Sequence, residues 1–153
     1  MKKIFVIKTK YRNFQIVIED GFLLSIDTTS ENETPPELLD GPAKIVLRQL
    51  EEYFSKNRKN FDIPYKMKGT LFQQDVWKAL HQIPYGKTAS YSLIAEMSGH
   101  KKAIRAVGTA LKNNPLPIVI PCHRIIRKNG LTGNYNGGAD MKKYLLELEK
   151  NGS

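Results

Sequence analysis

Hydrophobic and polar positions in the first third of the chain follow a pattern that predicts three strands and a helix. Lys3–Lys8 and Phe14–Glu19 alternate as half-buried strands do, and a third short strand is predicted over Phe22–Ile26. Thr28–Gly41 is polar and contains two adjacent prolines, which predicts a loop. From Pro42 to Phe54 the apolar residues recur at helical spacing. This order predicts a small β-rich unit followed by one amphipathic helix.

The pattern becomes mainly helical in the rest of the chain. Thr70 followed by Gln73 is the signature of a capping box, and apolar residues then recur at helical spacing as far as Ile83. A last helix is predicted over Met141–Lys150, with its apolar face formed by Met141, Tyr144, Leu145 and Leu148. We therefore expect two domains, an amino-terminal one over 1–64 and a second over 65–153.

Two short helices, predicted between the helix that begins at Thr70 and the last helix, have the outline of a helix-turn-helix. Ser90 is placed to cap a helix over Tyr91–Ser98, Gly99 allows a tight turn, and a second helix is predicted over Lys101–Asn113. The residues expected to point inward are Leu93, Ile94, Met97, Ile104, Val107 and Leu111. The predicted fold class is α+β, and the same helical outline also occurs in proteins that bind no DNA.

The formal net charge of +9 is concentrated around this pair of helices. No acidic residue lies between Glu96 and Asp140. The basic residues of that stretch are Lys101, Lys102, Arg105, Lys112, Arg124, Arg127 and Lys128. A solvated basic face would have the same composition, but its coincidence with a helix-turn-helix outline favours a surface that binds phosphates.

Several classes of protein are disfavoured by composition. No apolar run has the length of a membrane span, and no secretory leader is recognisable at the amino terminus. A single cysteine cannot form an internal disulfide, and histidines at 81, 100 and 123 do not have the spacing of a metal site. We expect a soluble intracellular protein without a metal or a cofactor.

The single cysteine, Cys122, is the first candidate for chemistry. A lone cysteine is most often a small buried hydrophobe. Here Pro121 precedes it and His123 follows it, so the thiol would sit in a rigid backbone beside a potential base. On a strand these neighbours would point to opposite faces, which leaves a bridging water to carry the proton. Glu149, at the edge of the apolar face of the last helix, is the candidate acceptor that orients the imidazole, whereas Glu147 should face solvent.

A cysteine, a histidine and a glutamate in this arrangement suit more than one reaction. The same set could serve a hydrolase or an acyltransferase. Residue chemistry alone therefore indicates a nucleophilic cysteine in a chain that binds nucleic acid, and no more.

The segment Ile120–Ile126, which reads IPCHRII, resembles the active-site signature of the O6-alkylguanine-DNA alkyltransferase family. Arg105–Gly108, Asn114-Pro115, Gly133–Gly138 and the pattern from Lys142 to Glu149 also fall at that family's spacing. The resemblance covers roughly 70–149. It implies a ribonuclease-H-like amino-terminal domain, which the first third matches only as strands followed by a helix.

The resemblance implies a role for each matching residue. Cys122 would accept the alkyl group from O6 of guanine, with O4 of thymine as a second candidate substrate. His123 would act on the thiol through a water, and Glu149 would orient the imidazole. Tyr91 would donate a proton toward N3 of the leaving guanine, and Asn114 would brace the active-site turn.

Binding roles follow in the same way. Backbone carbonyls of Cys122 and Ile125 would contact the guanine amino group, and Tyr135 and Asn136 would form the pocket wall. Arg105 would fill the gap left by the flipped nucleotide. Further DNA contacts are expected from Ala106, Lys101, Lys102 and Arg124.

The family also implies how the protein would work as a whole. It would bind double-stranded DNA through the minor groove with little sequence specificity, act once as a monomer, and need no cofactor. It would be cytoplasmic, associated with the nucleoid in a prokaryote, or nuclear in a eukaryote. Some members carry amino-terminal metal-binding residues, and this chain has no candidates for them. Asn136 stands where other members have a smaller residue, which bears on the alkyl size accepted.

Three rival functions remain open at this point. Alkyltransferase-like proteins keep the DNA-binding outline but replace the acceptor cysteine, characteristically with tryptophan. A transcription regulator would use the helix-turn-helix alone, together with a dimerising or sensing element. A cysteine hydrolase would turn over repeatedly on an ester or a peptide.

Overall fold

A computed structural model describes residues 1–127, 135 and 138–152. By its internal contacts the chain divides into two compact units, Met1–Met67 and Lys68–Ser153. The first unit contains 11 Lys and Arg residues against 10 Asp and Glu, and the second contains 13 against 5. Nearly all of the net positive charge therefore belongs to the second unit. None of the helices within the described residues is both long enough and apolar enough to cross a membrane.

The first unit contains a three-stranded antiparallel sheet in the order β1-β2-β3. The strands are β1 (Lys2–Lys8), β2 (Asn13–Glu19) and β3 (Phe22–Thr29). Asp20 and Gly21 join the last two with φ angles of 52° and 83°, the left-handed pair that a tight two-residue hairpin requires. The three predicted strands are confirmed, and β3 extends three residues beyond the predicted end at Ile26.

A helix, α1 (Gly41–Phe54), packs against this sheet through its apolar face. The Asp40 side chain accepts a hydrogen bond from Ala43 N at 3.1 Å and caps the helix. The rings of Phe14 on β2 and Phe54 on α1 stack with centroids 6.2 Å apart. Helix and sheet thus bury one small core, which no single element could form alone.

The segment predicted as a loop between β3 and α1 is more ordered than expected. Pro36–Leu38 forms a 3₁₀ turn. Thr34 pairs with the edge of β1, because its N–H donates to Val6 O and its hydroxyl accepts from Val6 N, both at 2.9 Å. These contacts satisfy backbone groups that an edge strand leaves open.

The division between the units falls three residues beyond the predicted position, residue 64. Leu23 on β3 explains the difference, since its N–H donates to Pro64 O at 2.9 Å and its carbonyl accepts from Lys66 N at 3.1 Å. Residues 64–66 are therefore part of the edge of the first unit. The alternation of apolar and polar residues that reveals a strand could not reveal a backbone pairing as short as this one.

The second unit begins with α2 (Leu71–Leu80), which starts at the predicted capping box. Gln73 N donates to Thr70 Oγ1 at 3.1 Å, and Thr70 N donates to Gln73 Oε1 at 3.0 Å. The helix ends three residues before Ile83, which is buried in the following turn. Trp77 is buried, and its indole N–H donates to Ala110 O at 3.0 Å.

The helix-turn-helix is formed by α3 (Tyr91–Met97) and α4 (Ile104–Lys112). A short strand, β4 (Ala89–Ser90), precedes α3, and the Ser90 hydroxyl accepts from Leu93 N at 3.1 Å as predicted. Gly99 has a φ of 83° in the turn between the helices, which favours glycine. The second helix begins at Ile104, because residues 101 and 102 belong to the turn.

Two of the residues predicted to point inward do not. Leu93 is 43% exposed and Ile104 is 45% exposed. Leu93 precedes the buried Ile94 by one residue, which places it about 100° around the helix from the packed face. Ile104 occupies the first position of α4, whose buried face centres on Val107 and Leu111. In both helices the fully buried positions form a narrow stripe that leaves Leu93 and Ile104 outside it.

The chain ends with β5 (Ile125–Ile126) and α5 (Ala139–Gly152). The strand pairs in parallel with β4, and Ala89 lies opposite Ile125. A 3₁₀ turn, Cys122–Arg124, comes directly before β5 and packs against α5. The assumption that Cys122 and His123 lie on a strand is thus wrong.

Candidate active site

The backbone before the cysteine is a buried turn, although its β-branched residues suggest a strand. Ile118 has a φ of 77°, a conformation that β-branched residues rarely adopt. The N–H of Ile120 donates to Leu116 O at 2.9 Å and closes the turn. The strained turn brings Cys122 back toward the end of α4.

Asn114, which follows α4, holds this turn in place. Its side-chain N–H₂ donates to Ile120 O at 2.9 Å and to Cys122 Sγ at 3.0 Å, and its Oδ1 accepts from Leu116 N at 2.9 Å. The residue is fully buried. Asn114 therefore contacts the loop at both ends and the sulfur itself, which fixes where the thiol lies.

Cys122 is an enclosed thiol with a poor intrinsic tendency to ionise. Only 1% of the residue is exposed. Burial raises the pKa of the Cys122 thiol to about 11, although the hydrogen bond from Asn114 and the charge of Lys142 act in the opposite direction. Because the thiolate is the nucleophilic form, reaction at neutral pH requires a group that removes the proton.

His123, the residue after Cys122, forms a buried pair with Glu149. His123 Nε2 lies 2.5 Å from Glu149 Oε2. Burial alone would raise the pKa of Glu149, but hydrogen bonding and charge from His123 and Arg124 hold it well below its usual range. An ionised carboxylate only accepts hydrogen bonds, so Nε2 must carry the proton that it donates to Glu149.

The remaining nitrogen of His123 is therefore the basic one. Burial lowers the pKa of His123, while the hydrogen bond and charge of Glu149 oppose this shift, so the imidazole is neutral at pH 7. Nδ1 is buried and has no hydrogen-bond partner within the part of the chain that the structure describes. A neutral imidazole held by a carboxylate, with an open nitrogen, is the arrangement of a general base.

Arg124 does not lie where the DNA-binding prediction needs it. The residue is only 7% exposed. Its Nε and one terminal nitrogen donate to the two oxygens of Glu149 at 2.9 and 3.1 Å, and the other terminal nitrogen donates to Ile83 O at 2.7 Å. A guanidinium committed in this way is not available to a phosphate, so Arg124 is better described as the residue that fixes Glu149.

The two glutamates of α5 differ as the helical pattern predicts. Glu149 is buried, and Gly86 N lies 3.4 Å from its Oε1 in addition to the contacts above. Glu147 is exposed. Two residues along a helix correspond to a rotation of about 200°, which separates the buried from the exposed position.

The two aromatic candidates, Tyr135 and Tyr91, differ in burial. The Tyr135 ring is buried and meets the His123 ring edge-on, with centroids 6.5 Å apart. Tyr91 is the first residue of α3 and is partly exposed. Ile125 is fully buried in β5. Asn136, the other predicted pocket residue, lies outside the described residues.

Lys142 is a buried residue whose position the sequence pattern did not reveal. It lies on α5 with no exposed surface, and its Nζ is 5.8 Å from the centroid of the Tyr91 ring. Burial lowers the pKa of Lys142 to about 8; the charge of Cys122 opposes this shift and that of Arg127 adds to it. A signal was present, since Lys142 and Glu149 are two helical turns apart and share one face.

The DNA-binding candidates lie at the surface of the helix-turn-helix. Arg105, Ala106, Lys101 and Lys102 are all exposed. Of these residues, Arg105 lines a groove of about 790 Å³, together with Tyr91, Ser92, Ile104, Gly108, Thr109 and Arg127. Three or more side chains of the types that bind metals do not gather anywhere in the described ranges. Charge, groove and Tyr91 thus lie together on the α3–α4 side of the unit.

Fold and site together define a class: an α+β protein whose basic helix-turn-helix unit encloses a cysteine that is followed by a histidine paired with a carboxylate. Residues 71–151 match the family model described as 6-O-methylguanine DNA methyltransferase, DNA binding domain. The chain belongs to this family. The family resemblance of the IPCHRII segment is thereby confirmed.

Similar proteins cover most of the chain. It is 46% identical over 127 residues to the constitutive methylated-DNA–protein-cysteine methyltransferase of Bacillus subtilis (strain 168), across 82% of this chain and 73% of that protein. The crystal structure of Mycobacterium tuberculosis O6-methylguanine methyltransferase has a TM-score of 0.88 and 36% identity, covering 100% of this chain and 95% of that one. A crystal structure of Mycobacterium tuberculosis OGT in complex with DNA has a TM-score of 0.85 and 36% identity, covering 97% and 92%. The α+β fold predicted from the sequence is confirmed by these structures.

Proposed function

We propose that this protein repairs DNA by transferring an alkyl group directly from O6 of guanine to Cys122. The observation that carries the proposal is the fixed position of Cys122 Sγ, which lies 3.0 Å from Asn114 Nδ2. The next residue in the same turn, His123, is paired with Glu149. In a chain of this family, that sulfur is a nucleophile of fixed position, and the next residue is a histidine held as a base by a carboxylate. Alkylated O4 of thymine is a second substrate to be tested.

The nucleophilic step follows from the state of the three groups. The sulfur attacks the carbon bonded to O6, forming a C–S bond as the C–O6 bond breaks and its electron pair moves to the guanine. The thiol proton passes through a water to His123 Nδ1, the ring nitrogen that Glu149 leaves open. Because burial raises the pKa of Cys122 to about 11, little thiolate is present at neutral pH until a base takes the proton.

Departure of the guanine requires a proton as well. Tyr91, beside the groove of the helix-turn-helix, is proposed to donate its hydroxyl proton toward N3 of the base. Neutralising the charge that develops on the purine makes it a better leaving group. Return of the proton from His123 to the phenolate then restores the charges of both residues.

DNA must present the base outside the helix. A thiol that is 1% exposed cannot reach O6 within a base stack, so the nucleotide must flip at a cost of a few kcal/mol. Arg105 is proposed to occupy the gap, with Ala106 close to the minor groove and Lys101 and Lys102 on the phosphates. Contacts of this kind carry little sequence information, which suits a protein that must find damage anywhere.

The remaining roles concern the flipped base and the protein as a whole. Carbonyls of Cys122 and Ile125 are proposed to bind the guanine amino group, with Tyr135 and Asn136 as the pocket wall. The amino-terminal unit is proposed to be ribonuclease-H-like. We place the protein, acting as a monomer, in the compartment that contains the DNA.

The product determines how often the protein can act. A thioether is not reversed by hydrolysis, so each molecule is expected to work once. A hydrolase would instead release its product and turn over. A non-catalytic relative would bind damaged DNA without changing it, and the presence of Cys122, His123 and Glu149 speaks against that alternative.

The test is to locate the alkyl group after reaction. Duplex DNA containing O6-methylguanine with a labelled methyl is incubated with the protein, which is then digested and mapped by mass spectrometry. The label is expected on the Cys122 peptide, and Cys122→Ser should bind the same DNA without acquiring label because a hydroxyl is a far weaker nucleophile. Label on another residue, or retained transfer by the serine variant, would overturn the assignment.

A further inference from the structure

A histidine in the turn of the helix-turn-helix is held by the helix that precedes it. His100 lies between α3 and α4, and its Nε2 is 3.0 Å from Asp75 Oδ2 on α2. Its ring also meets the ring of Phe72 edge-on, with centroids 4.6 Å apart. Because a carboxylate accepts hydrogen bonds and cannot donate them, Nε2 carries the hydrogen that it shares with Asp75. Two side chains of α2, one charged and one aromatic, therefore hold the His100 ring.

The backbone of the same residue fixes both ends of the turn. His100 N–H donates to Ala95 O at 2.8 Å, and Gly99 N–H donates to Glu96 O at 3.1 Å. These two bonds end α3 as a Schellman motif. His100 O accepts from Ala103 N at 2.9 Å, one residue before α4 begins. His100 thus contacts α3 through its N–H, the start of α4 through its carbonyl, and α2 through its side chain.

This turn continues into two of the basic residues that are proposed to bind DNA. Lys101 and Lys102 follow His100 directly, and both are exposed. An acidic group beside such a turn is unexpected, because a carboxylate repels phosphates. Yet Asp75, the only acidic residue of α2, lies there and is 49% exposed. Ion pairs and hydrogen bonds as exposed as this one contribute little to the free energy of unfolding, so the stability of the fold does not explain the pair.

We infer that His100 and Asp75 are positioning residues for DNA binding, which hold the turn of Lys101 and Lys102 on α2 before the phosphates arrive. This inference rests on the proposed function for the assignment of the two lysines to DNA. A turn that is already ordered loses less conformational entropy on binding than a mobile one. This gain must outweigh the repulsion between Asp75 and the phosphates, and that requirement gives the inference a definite sign.

The sign separates positioning from simple charge. Removing an acidic side chain from a DNA-binding unit normally strengthens binding, because the net positive charge rises. Asp75→Ala is expected to do the opposite. It should raise the Kd for undamaged duplex DNA about fivefold, the effect of about one residue that must be ordered again on binding. Glu96→Ala, at an exposed acidic position on α3, is the matched control and should bind at least as tightly as the wild type.

The experiment measures Kd by fluorescence anisotropy for the full chain and its variants. His100→Ala should also raise Kd about fivefold. The double variant His100→Ala/Asp75→Ala should bind no more weakly than either single variant, because the two residues act as one unit. His100→Gln, whose side-chain amide can donate to Asp75 from nearly the same position, should stay within about twofold of the wild type. With Lys101 and Lys102 both replaced by Ala, His100→Ala should have no further effect.

Two further readouts separate positioning from a loss of fold and from the proposed function. Thermal unfolding of each variant should stay close to that of the wild type, and methyl transfer at saturating DNA should keep the wild-type rate. Tighter binding by Asp75→Ala, additive losses in the double variant, or a saturating rate that falls together with affinity would overturn the inference. So would an equal loss from His100→Ala in the protein without the two lysines. A wild-type protein that binds DNA but transfers no methyl would refute the proposed function and leave the binding comparison intact.

Discussion

Five buried side chains form the site: Cys122, His123, Arg124, Asn114 and Glu149. Arg124 and His123 both contact the Glu149 carboxylate, which leaves Nδ1 as the basic nitrogen of His123. Asn114 holds the sulfur on the other side. The polar groups are buried because a dry site strengthens charge interactions and keeps water from competing with the thiol.

At the residue scale, Glu149→Gln should show how much this cluster contributes. The substitution leaves the Arg124 charge buried without its carboxylate, so we expect the free energy of unfolding at pH 7 to fall by about 3–5 kcal/mol. Methyl transfer should slow by about 10²-fold or more, because His123 is no longer held as a base. Denaturant unfolding and single-turnover kinetics measure the two effects. Glu147→Gln, on the exposed side of α5, is the matched control and should change neither.

The pH dependence of that stability difference has a definite sign. The pKa of Glu149 is lowered in the folded protein, so its contribution is fully present above about pH 4.5, the value expected for an unfolded glutamate. It is lost as the pH falls below that value. The difference in the free energy of unfolding between wild type and Glu149→Gln should therefore be largest at neutral pH and become smaller in acid. A gap that widens toward pH 3 would contradict the arrangement of charges described here.

At the element scale, the two sides of α4 have different roles. Arg105 is exposed on the side of α4 that lines the groove, whereas Val107 and Leu111 fix the helix to the core. Arg105→Ala should therefore leave the fold and the thiol intact. We expect transfer from duplex DNA to fall by about ten- to a hundredfold, corresponding to part of the few kcal/mol that flipping requires, while reaction with free O6-alkylguanine is unchanged. Lys78→Ala, exposed on α2 outside the basic stretch, is the control, and equal losses on both substrates would exclude a role in flipping.

Elements with strong local signals could be predicted from the sequence. The capping box at Thr70 and the serine cap at Ser90 each depend on neighbours a few residues away, so pattern and structure agree. Glu149 could be chosen over Glu147 for the same reason, since the local helical pattern places Glu149 at the edge of the apolar face of α5 and Glu147 toward solvent.

What the sequence could not provide depends on contacts between distant residues. The 118–120 run has the composition of a strand, but Asn114 and the positive φ of Ile118 fold it into a turn. Arg124 is assigned to DNA by its charge, and only its contacts with Glu149 and Ile83 show that it is internal. Lys142 is hidden in the same way, because a lysine on a helix is exposed by default. Buried charged residues are therefore the ones whose positions a sequence pattern predicts least well.

At the scale of the whole molecule, charge is divided unequally between the two units. The second unit contains 13 basic and 5 acidic residues, while the first is nearly balanced. Binding to undamaged duplex DNA should accordingly weaken as salt increases, with a slope set by the number of phosphates neutralised. Lys102→Ala should reduce that slope by about 1, whereas Lys44→Ala, exposed on α1, should not. Fluorescence anisotropy across a salt series measures both, and a slope that is flat or equally affected by Lys44→Ala would contradict the basic-surface assignment.

The central claim is that Cys122 is the final and only acceptor of the alkyl group. Its most direct test is a titration of a fixed amount of protein with increasing O6-methylguanine duplex, in which restored guanine and methylated protein are both counted. We expect both to saturate together at one per protein, with the protein heavier by one CH₂ and no reaction after longer incubation. Restored guanine that continues to accumulate beyond one per protein, or that appears without methylated Cys122, would contradict the account.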